Sequence, residues 1–98
     1  MKPDGLDPWV AYSRDLGRNL QAARSRVGLT QERVALSAGI STFTYQKMEN
    51  GESNPGTPSN PRLQTLICLS VVLEEDLCRL LPRVSANLEK AVLQRSLL

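Results

Sequence analysis

Gly28, Gly39 and Gly51 cut the first half of the chain into segments of helical length, and this spacing constrains the fold more than any other feature. Glycine reaches the positive-φ geometry that ends a helix without a Cβ clash. Thr30 follows the first stop by two residues and Ser41 follows the second by two. Either hydroxyl can accept from the unpaired amides of a helix's first turn. The pattern predicts helices from about Trp9 to Val27, over 31–38 and over 42–50. In the first, Leu16, Leu20, Ala23 and Val27 share a face while Arg14, Arg18 and Arg26 point outward, and Asp7-Pro8 can cap and open it. The second carries Gln31 and Glu32 in its first turn, where the dipole favours the acid, and buries Val34, Ala35 and Ala38. Ile40 plugs the turn, and Tyr45 and Met48 form the inward pair of the third. Ala35 is small enough to let the two short helices cross closely.

The second half reads differently. Residues 51–61 contain prolines at 55, 58 and 61 and are expected to form a loop without regular structure. A fourth helix follows over 62–72, burying Leu63, Leu66, Ile67 and Leu69. Asp76 is expected to cap a fifth that carries Leu77, Leu80 and Leu81, and Pro82 breaks the chain. Residues 83–98 place Val84, Leu88, Ala91, Val92 and Leu97 on a sixth, amphipathic helix with Ser85 as its cap. A helix of that length is marginal alone. Its apolar face needs a partner, either its own domain or, as the favoured reading, a second subunit in a symmetric dimer. Residues 1–8, with two prolines and a glycine, read as a flexible arm. The expected fold class is all-α: one domain over 9–82 with a core mainly of Leu, Val, Ile and Ala, then the tail.

Chemistry enters on the third helix. Its outward residues Thr42, Phe43, Thr44, Gln46, Lys47 and Asn50 are hydrogen-bonding apart from one aromatic, and include no carboxylate. A second helix of that kind, after a glycine turn, suits the major groove of DNA. The net charge of +2 is modest, but residues 1–51 hold seven Lys/Arg against five Asp/Glu, while residues 52–98 hold five against five. The bias therefore sits in the half that carries the motif. Without histidine, and with only Cys68 and Cys78, a zinc site is not expected. The two cysteines read as reduced thiols on consecutive helices, with thiol-based redox sensing as the alternative. Without clustered carboxylates or a Gly-rich phosphate loop, an enzyme is not expected, and neither is a cofactor. No run approaches the ~20 apolar residues of a membrane span, so a soluble, cytoplasmic chain is expected.

From Leu16 to Leu81 the sequence resembles the Cro/phage-repressor-like regulators of the XRE family. The resemblance is carried by Leu29-Thr30-Gln31-Glu32, Ala38-Gly39-Ile40-Ser41, Met48-Glu49-Asn50-Gly51, and Leu66, Leu69, Leu73, Leu77 and Leu80-Leu81. It implies a five-helix phage-repressor-like DNA-binding domain, here with an additional C-terminal helix. It also implies a homodimeric transcriptional regulator acting on double-stranded DNA, as an activator or a repressor. By that likeness Thr42, Phe43, Gln46 and Lys47 face the bases, with Phe43 on a thymine methyl unless it is a dimer contact or simply an exposed aromatic. Gln31, Thr44 and Asn50 meet phosphates, with Gln31 also near a base. Arg18 and Arg26 add electrostatic attraction. Arg24 and Glu49 match the positions of an internal ion pair between the first and third helices.

The chain departs from the family pattern at three places. Tyr45 replaces a branched aliphatic, and its hydroxyl is expected to emerge near DNA or solvent. Asn-Pro occurs twice, at 54–55 and 60–61, as if a short segment had been inserted in a loop whose amides touch a phosphate in such proteins. Glu74 stands where glycine is usual. The alternative reading is an antitoxin-like or adaptor protein that grips another protein through residues 83–98.

Overall fold

A computed structural model describes residues 7–96, so residues 1–6 of the expected arm and Leu97 lie outside the described residues. The elements are α1 (Pro8–Val27), α2 (Gln31–Ala38), α3 (Thr42–Asn50), β1 (Glu52–Asn54), β2 (Thr57–Pro58), α4 (Leu63–Val72), α5 (Leu77–Leu80) and α6 (Ala86–Ser96). The chain is thus mostly helical, as the all-α reading requires. Asp7, Thr30 and Ser41 accept from first-turn amides, and Gly28, Gly39 and Gly51 end α1, α2 and α3 in the left-handed region.

The core joins Leu16, Leu20 and Ala23 of α1 to Val34, Ala35, Tyr45, Met48, Leu66, Leu69, Leu73 and Leu80. α1 crosses α3 at Gly17. A Cβ there would lie 2.2 Å from the Glu49 carbonyl oxygen and 2.8 Å from that of Met48. Only glycine lets the two backbones approach so closely, and its spacing within α1 does not single it out.

Four expectations need correction. Leu63 and Ile67 are 65 % and 47 % exposed, because α4 turns Leu66 and Leu69 to the core. One helix cannot bury both stripes, and a segment apolar on nearly every side does not show in its sequence which one wins. The supposed loop contains an antiparallel hairpin that pairs Glu52 with Pro58 and Asn54 with Thr57. A two-stranded ribbon consists of edges, where proline's missing amide is tolerated. Pro55-Gly56, with Gly56 at φ 80°, has the signature of a type II turn, and Glu52 Oε2 accepts from the Gly56 amide at 2.7 Å. The base of the hairpin is tied down: Ser59 donates its amide to the Gly51 carbonyl at 3.0 Å, and Ser13 Oγ donates to the Ser59 carbonyl at 2.9 Å. The third correction is Asp76. It precedes α5, but its side chain makes no cap; its carbonyl accepts from the Arg79 and Leu80 amides instead. The fourth, the Tyr45 hydroxyl, belongs to the interface below.

Glu74 turns the chain between α4 and α5 at φ 54°, in the region that glycine occupies without strain. The chain beyond α5 is held to α1: Asn19 Nδ2 donates to the Leu80 carbonyl at 2.8 Å and Tyr12 Oη to the Pro82 carbonyl at 2.9 Å. Ser85 Oγ accepts from the Leu88 amide at 3.1 Å. α6 packs against α1 and buries Leu88, while Val84 and Leu93 stay exposed.

Two substitutions test this account in opposite directions. Gly17→Ala should destabilise the fold by about 1–3 kcal/mol or more, because backbone must move to admit the methyl. Glu74→Gly should stabilise it by about 1 kcal/mol, relieving a left-handed side chain against the glycine's extra chain entropy. Denaturant midpoints of the two variants, with an unchanged slope, measure both effects.

Candidate nucleic-acid interface

The interface is built on α3, whose start is set by Ser41. Its Oγ accepts from the Thr44 amide at 3.0 Å and donates to Thr44 Oγ1 at 2.9 Å. Tyr45 and Met48 then enter the core, which turns the remaining face outward. Phe43 is 65 % exposed, and Lys47 Nζ lies 4.3 Å from its ring centroid. One turn apart on α3, the pair holds an ammonium over an aromatic face. Thr42 is half-buried at the first turn, and Thr44 and Asn50 are exposed.

Behind this face lies a polar network. Arg24 Nε meets Glu49 Oε2 at 2.6 Å and its Nη2 meets Oε1 at 3.2 Å, while Nη1 donates to the Leu29 carbonyl at 3.1 Å. The fork is bidentate, which fixes both direction and distance. It is largely dry: the Glu49 side chain is 4 % exposed and that of Arg24 17 %. Burial alone would raise the Glu49 carboxyl, but the hydrogen bonds from Arg24 and Gln31, with the charge of Arg24, hold it below its usual value. Gln31 Nε2 donates to Glu49 Oε1 at 2.9 Å, and Gln46 Nε2 donates to Gln31 Oε1 at 3.2 Å. Four of the residues proposed for DNA or for the ion pair, Arg24, Glu49, Gln31 and Gln46, are thereby joined in one chain.

The Tyr45 hydroxyl does not emerge as expected. The residue is fully buried and its oxygen has no hydrogen-bond partner among the described residues. Burial first, then the neighbouring Glu49, push its pKa well above the ordinary tyrosine value. The reason is geometric: the inward position on α3 places the whole ring between helices, too deep for its tip to reach solvent.

The cations also sort themselves. Arg18 pairs with Asp15 one turn earlier, and Arg26 Nη2 meets Glu75 Oε2 at 2.6 Å, so each has a carboxylate beside the charge expected to attract DNA. Arg14 is turned to Glu52 of the hairpin at 3.5 Å. Lys47 and Arg62 have no ion-pair partner among the described residues. They line a groove of about 360 Å³ between α3 and the start of α4, together with Thr44, Ser53 and Thr65, and no carboxylate lines it. No side chain caps the first turn of α4, so its amides remain available there. Arg62 and Thr65 were not singled out from sequence. They share this groove with Thr44 and Lys47 of α3 through tertiary placement, which a run of prolines and polar residues does not reveal.

A family model described as a helix-turn-helix domain matches residues 15–81. Neither the curated proteins nor the solved structures include a match to the chain. Among the described residues, no helix is long and apolar enough to cross a membrane.

Arg24→Met should destabilise the fold by about 3–5 kcal/mol, because it strands a buried carboxylate, and Arg24→Met with Glu49→Leu should recover most of that. The ion pair also sets an acid limit. Since folding lowers the Glu49 pKa from 4.5, its contribution is complete above that value and is lost as pH falls through the folded-state value. Unfolding curves from pH 7 to pH 3 should therefore show wild type and the double variant converging at the acid end.

Proposed function

The chain belongs to the family of XRE/Cro-like helix-turn-helix domains, and on that footing we propose that it is a sequence-specific, dimeric transcriptional regulator that inserts α3 in the DNA major groove. The observation that carries this reading is the outward face of α3: Thr42, Phe43, Gln46 and Lys47 present hydrogen-bonding groups and one aromatic, while the helix's single acid, Glu49, is turned inward on Arg24. A carboxylate facing phosphate would repel it. Satisfying Glu49 inside the domain keeps the DNA face free of negative charge.

Within this reading, Lys47 donates to guanine O6 or N7, and Phe43 steadies the ammonium while its ring lies against a thymine methyl. Thr44 and Asn50 meet phosphate oxygens, and so does Gln31 through whatever donor capacity Glu49 leaves it. Arg62 and the open first turn of α4 extend the phosphate track across the groove. Two subunits would read half-sites about 34–36 Å apart. Support for dimerisation lies in the apolar side chains left exposed, Leu63, Ile67 and Val71 on α4 and Val84 and Leu93 at the tail. The protein acts as a binding protein rather than an enzyme, without a cofactor, in the cytoplasm.

The exposed tail residues also favour a second reading, in which residues 83–98 grip another protein and DNA binding is secondary. Co-purification of a partner that releases DNA would support it.

Selection of bound sequences from random duplexes, with stoichiometry measured on the winner, tests the proposal. A palindrome bound by two chains is the expected result, and binding indifferent to sequence would refute it. Lys47→Ala should relax preference at one position by about 1–3 kcal/mol, whereas Gln31→Ala should weaken all duplexes more evenly.

A further inference from the structure

The groove of about 360 Å³ between α3 and the start of α4 is large enough for a small molecule, since such sites begin near roughly 300 Å³. Lys47 and Arg62 line it, and no carboxylate does. The first turn of α4 opens on it through Arg62 and Thr65. No side chain caps that helix, and its ladder begins only where the Leu66 amide donates to the Arg62 carbonyl at 3.0 Å. The amides of Leu63, Gln64 and Thr65 precede that bond and have no acceptor within the helix. By itself an uncapped helix start shows only that an anion would be favoured there. Ser59 supplies a second, independent sign. It lines the same groove and is 9 % exposed, yet its Oγ has no hydrogen-bond partner among the described residues. Its backbone amide and carbonyl are engaged with Gly51 and Ser13, so the residue is held in place while its hydroxyl is left over. A buried hydroxyl that has given up water without gaining a partner is destabilising, and an acceptor entering the groove would satisfy it.

We propose that this groove is an effector site for a small phosphate monoester whose organic part is a polyol or a sugar. Near neutral pH a monoester carries about two negative charges, where a DNA phosphodiester carries one, and the two cations of the groove match it. Its phosphate accepts from Arg62, from the open amides of α4 and from Ser59 Oγ, and Lys47 supplies the second positive charge. Thr44, Ser53 and Asn60 offer neutral groups to hydroxyls, and Met48 and Pro61 offer apolar surface to the carbon skeleton. Resting on the DNA-reading role proposed above, occupancy has a regulatory consequence. Lys47 cannot serve a base and the ester together, and a dianion beside α3 repels the DNA backbone. The ester therefore releases the duplex.

The test uses the intact chain with glucose 6-phosphate and glycerol 3-phosphate as probes, and inorganic phosphate and glucose as controls, all at one ionic strength. Binding is read first without DNA, by calorimetry and by shifts of the Ser59, Leu63, Gln64 and Thr65 amide resonances. At least one ester should saturate the site with an affinity about tenfold or more above that of inorganic phosphate, and glucose should not bind. Ser59→Ala removes only the leftover hydroxyl. It should keep the fold and the affinity for DNA, but weaken the ester by about tenfold or more. Arg62→Gln should abolish ester binding. The duplex selected by wild type should then be released at ester concentrations that fill the groove, and in Ser59→Ala only at about tenfold higher ones. If inorganic phosphate binds as well as both esters, or ester binding survives both substitutions, the site is overturned. If an ester fills the groove and the duplex stays bound, the effector role is overturned. A chain that binds the ester but selects no duplex refutes the DNA-reading role and leaves the ligand site standing.

Discussion

At the crossing of α1 and α3, two backbones meet with no side chain between them. Gly17 lies directly against the Glu49 and Met48 carbonyls, closer than any Cβ would permit. One turn of α3 is thereby pinned to the middle of the longest helix, and the outward direction of its remaining residues follows. The same segment carries the Glu49 carboxylate, which the Arg24 guanidinium grips from further along α1. Steric contact fixes the distance between the helices, and the charged fork fixes rotation about it. Neither device would suffice alone: close packing tolerates some sliding, and an ion pair without a tight crossing could re-form in other geometries.

That arrangement bears on electrostatics at the surface. With a net charge of only +2, the chain cannot rely on a broad positive field, so what matters is where its few charges are spent. Arg14, Arg18, Arg24 and Arg26 are all engaged with carboxylates of the chain itself. Among the cations without such a partner in the described residues, Lys47 and Arg62 flank a groove without acids. Arg62 and Thr65, distant in sequence, share that groove with Thr44 and Lys47 of α3.

Much of this was legible before any coordinates. Hydroxyls at 30 and 41 and glycines at 28, 39 and 51 act on backbone amides and dihedrals within a few residues, so the limits of α2 and α3 follow from local chemistry. The inward residues Val34, Ala35, Tyr45 and Met48 follow from helical spacing on short, sharply bounded segments. The pairing of Arg24 with Glu49 was expected from likeness to a family, not from spacing, and the structure sets the two 2.6 Å apart. What failed had a common cause. The buried side of α4, the hairpin at 52–58 and the depth of Tyr45 each depend on which distant surface arrives opposite them. Pro55-Gly56 was the one overlooked local sign, because a turn formed by that pair can join two strands as well as end a loop.

By itself, then, the order of residues determined where helices begin and end and which side of α2 and α3 is apolar, since caps, left-handed stops and helical period operate over one or two turns. Tertiary structure alone decided that Gly17 is the point of closest approach, that Leu66 rather than Ile67 meets the core, and that Gln31 and Gln46 face each other across fifteen residues of chain. Those outcomes depend on how α1, α3 and α4 are placed in space. That placement minimises exposed apolar surface and unpaired charge over the whole domain at once, and no single segment encodes it.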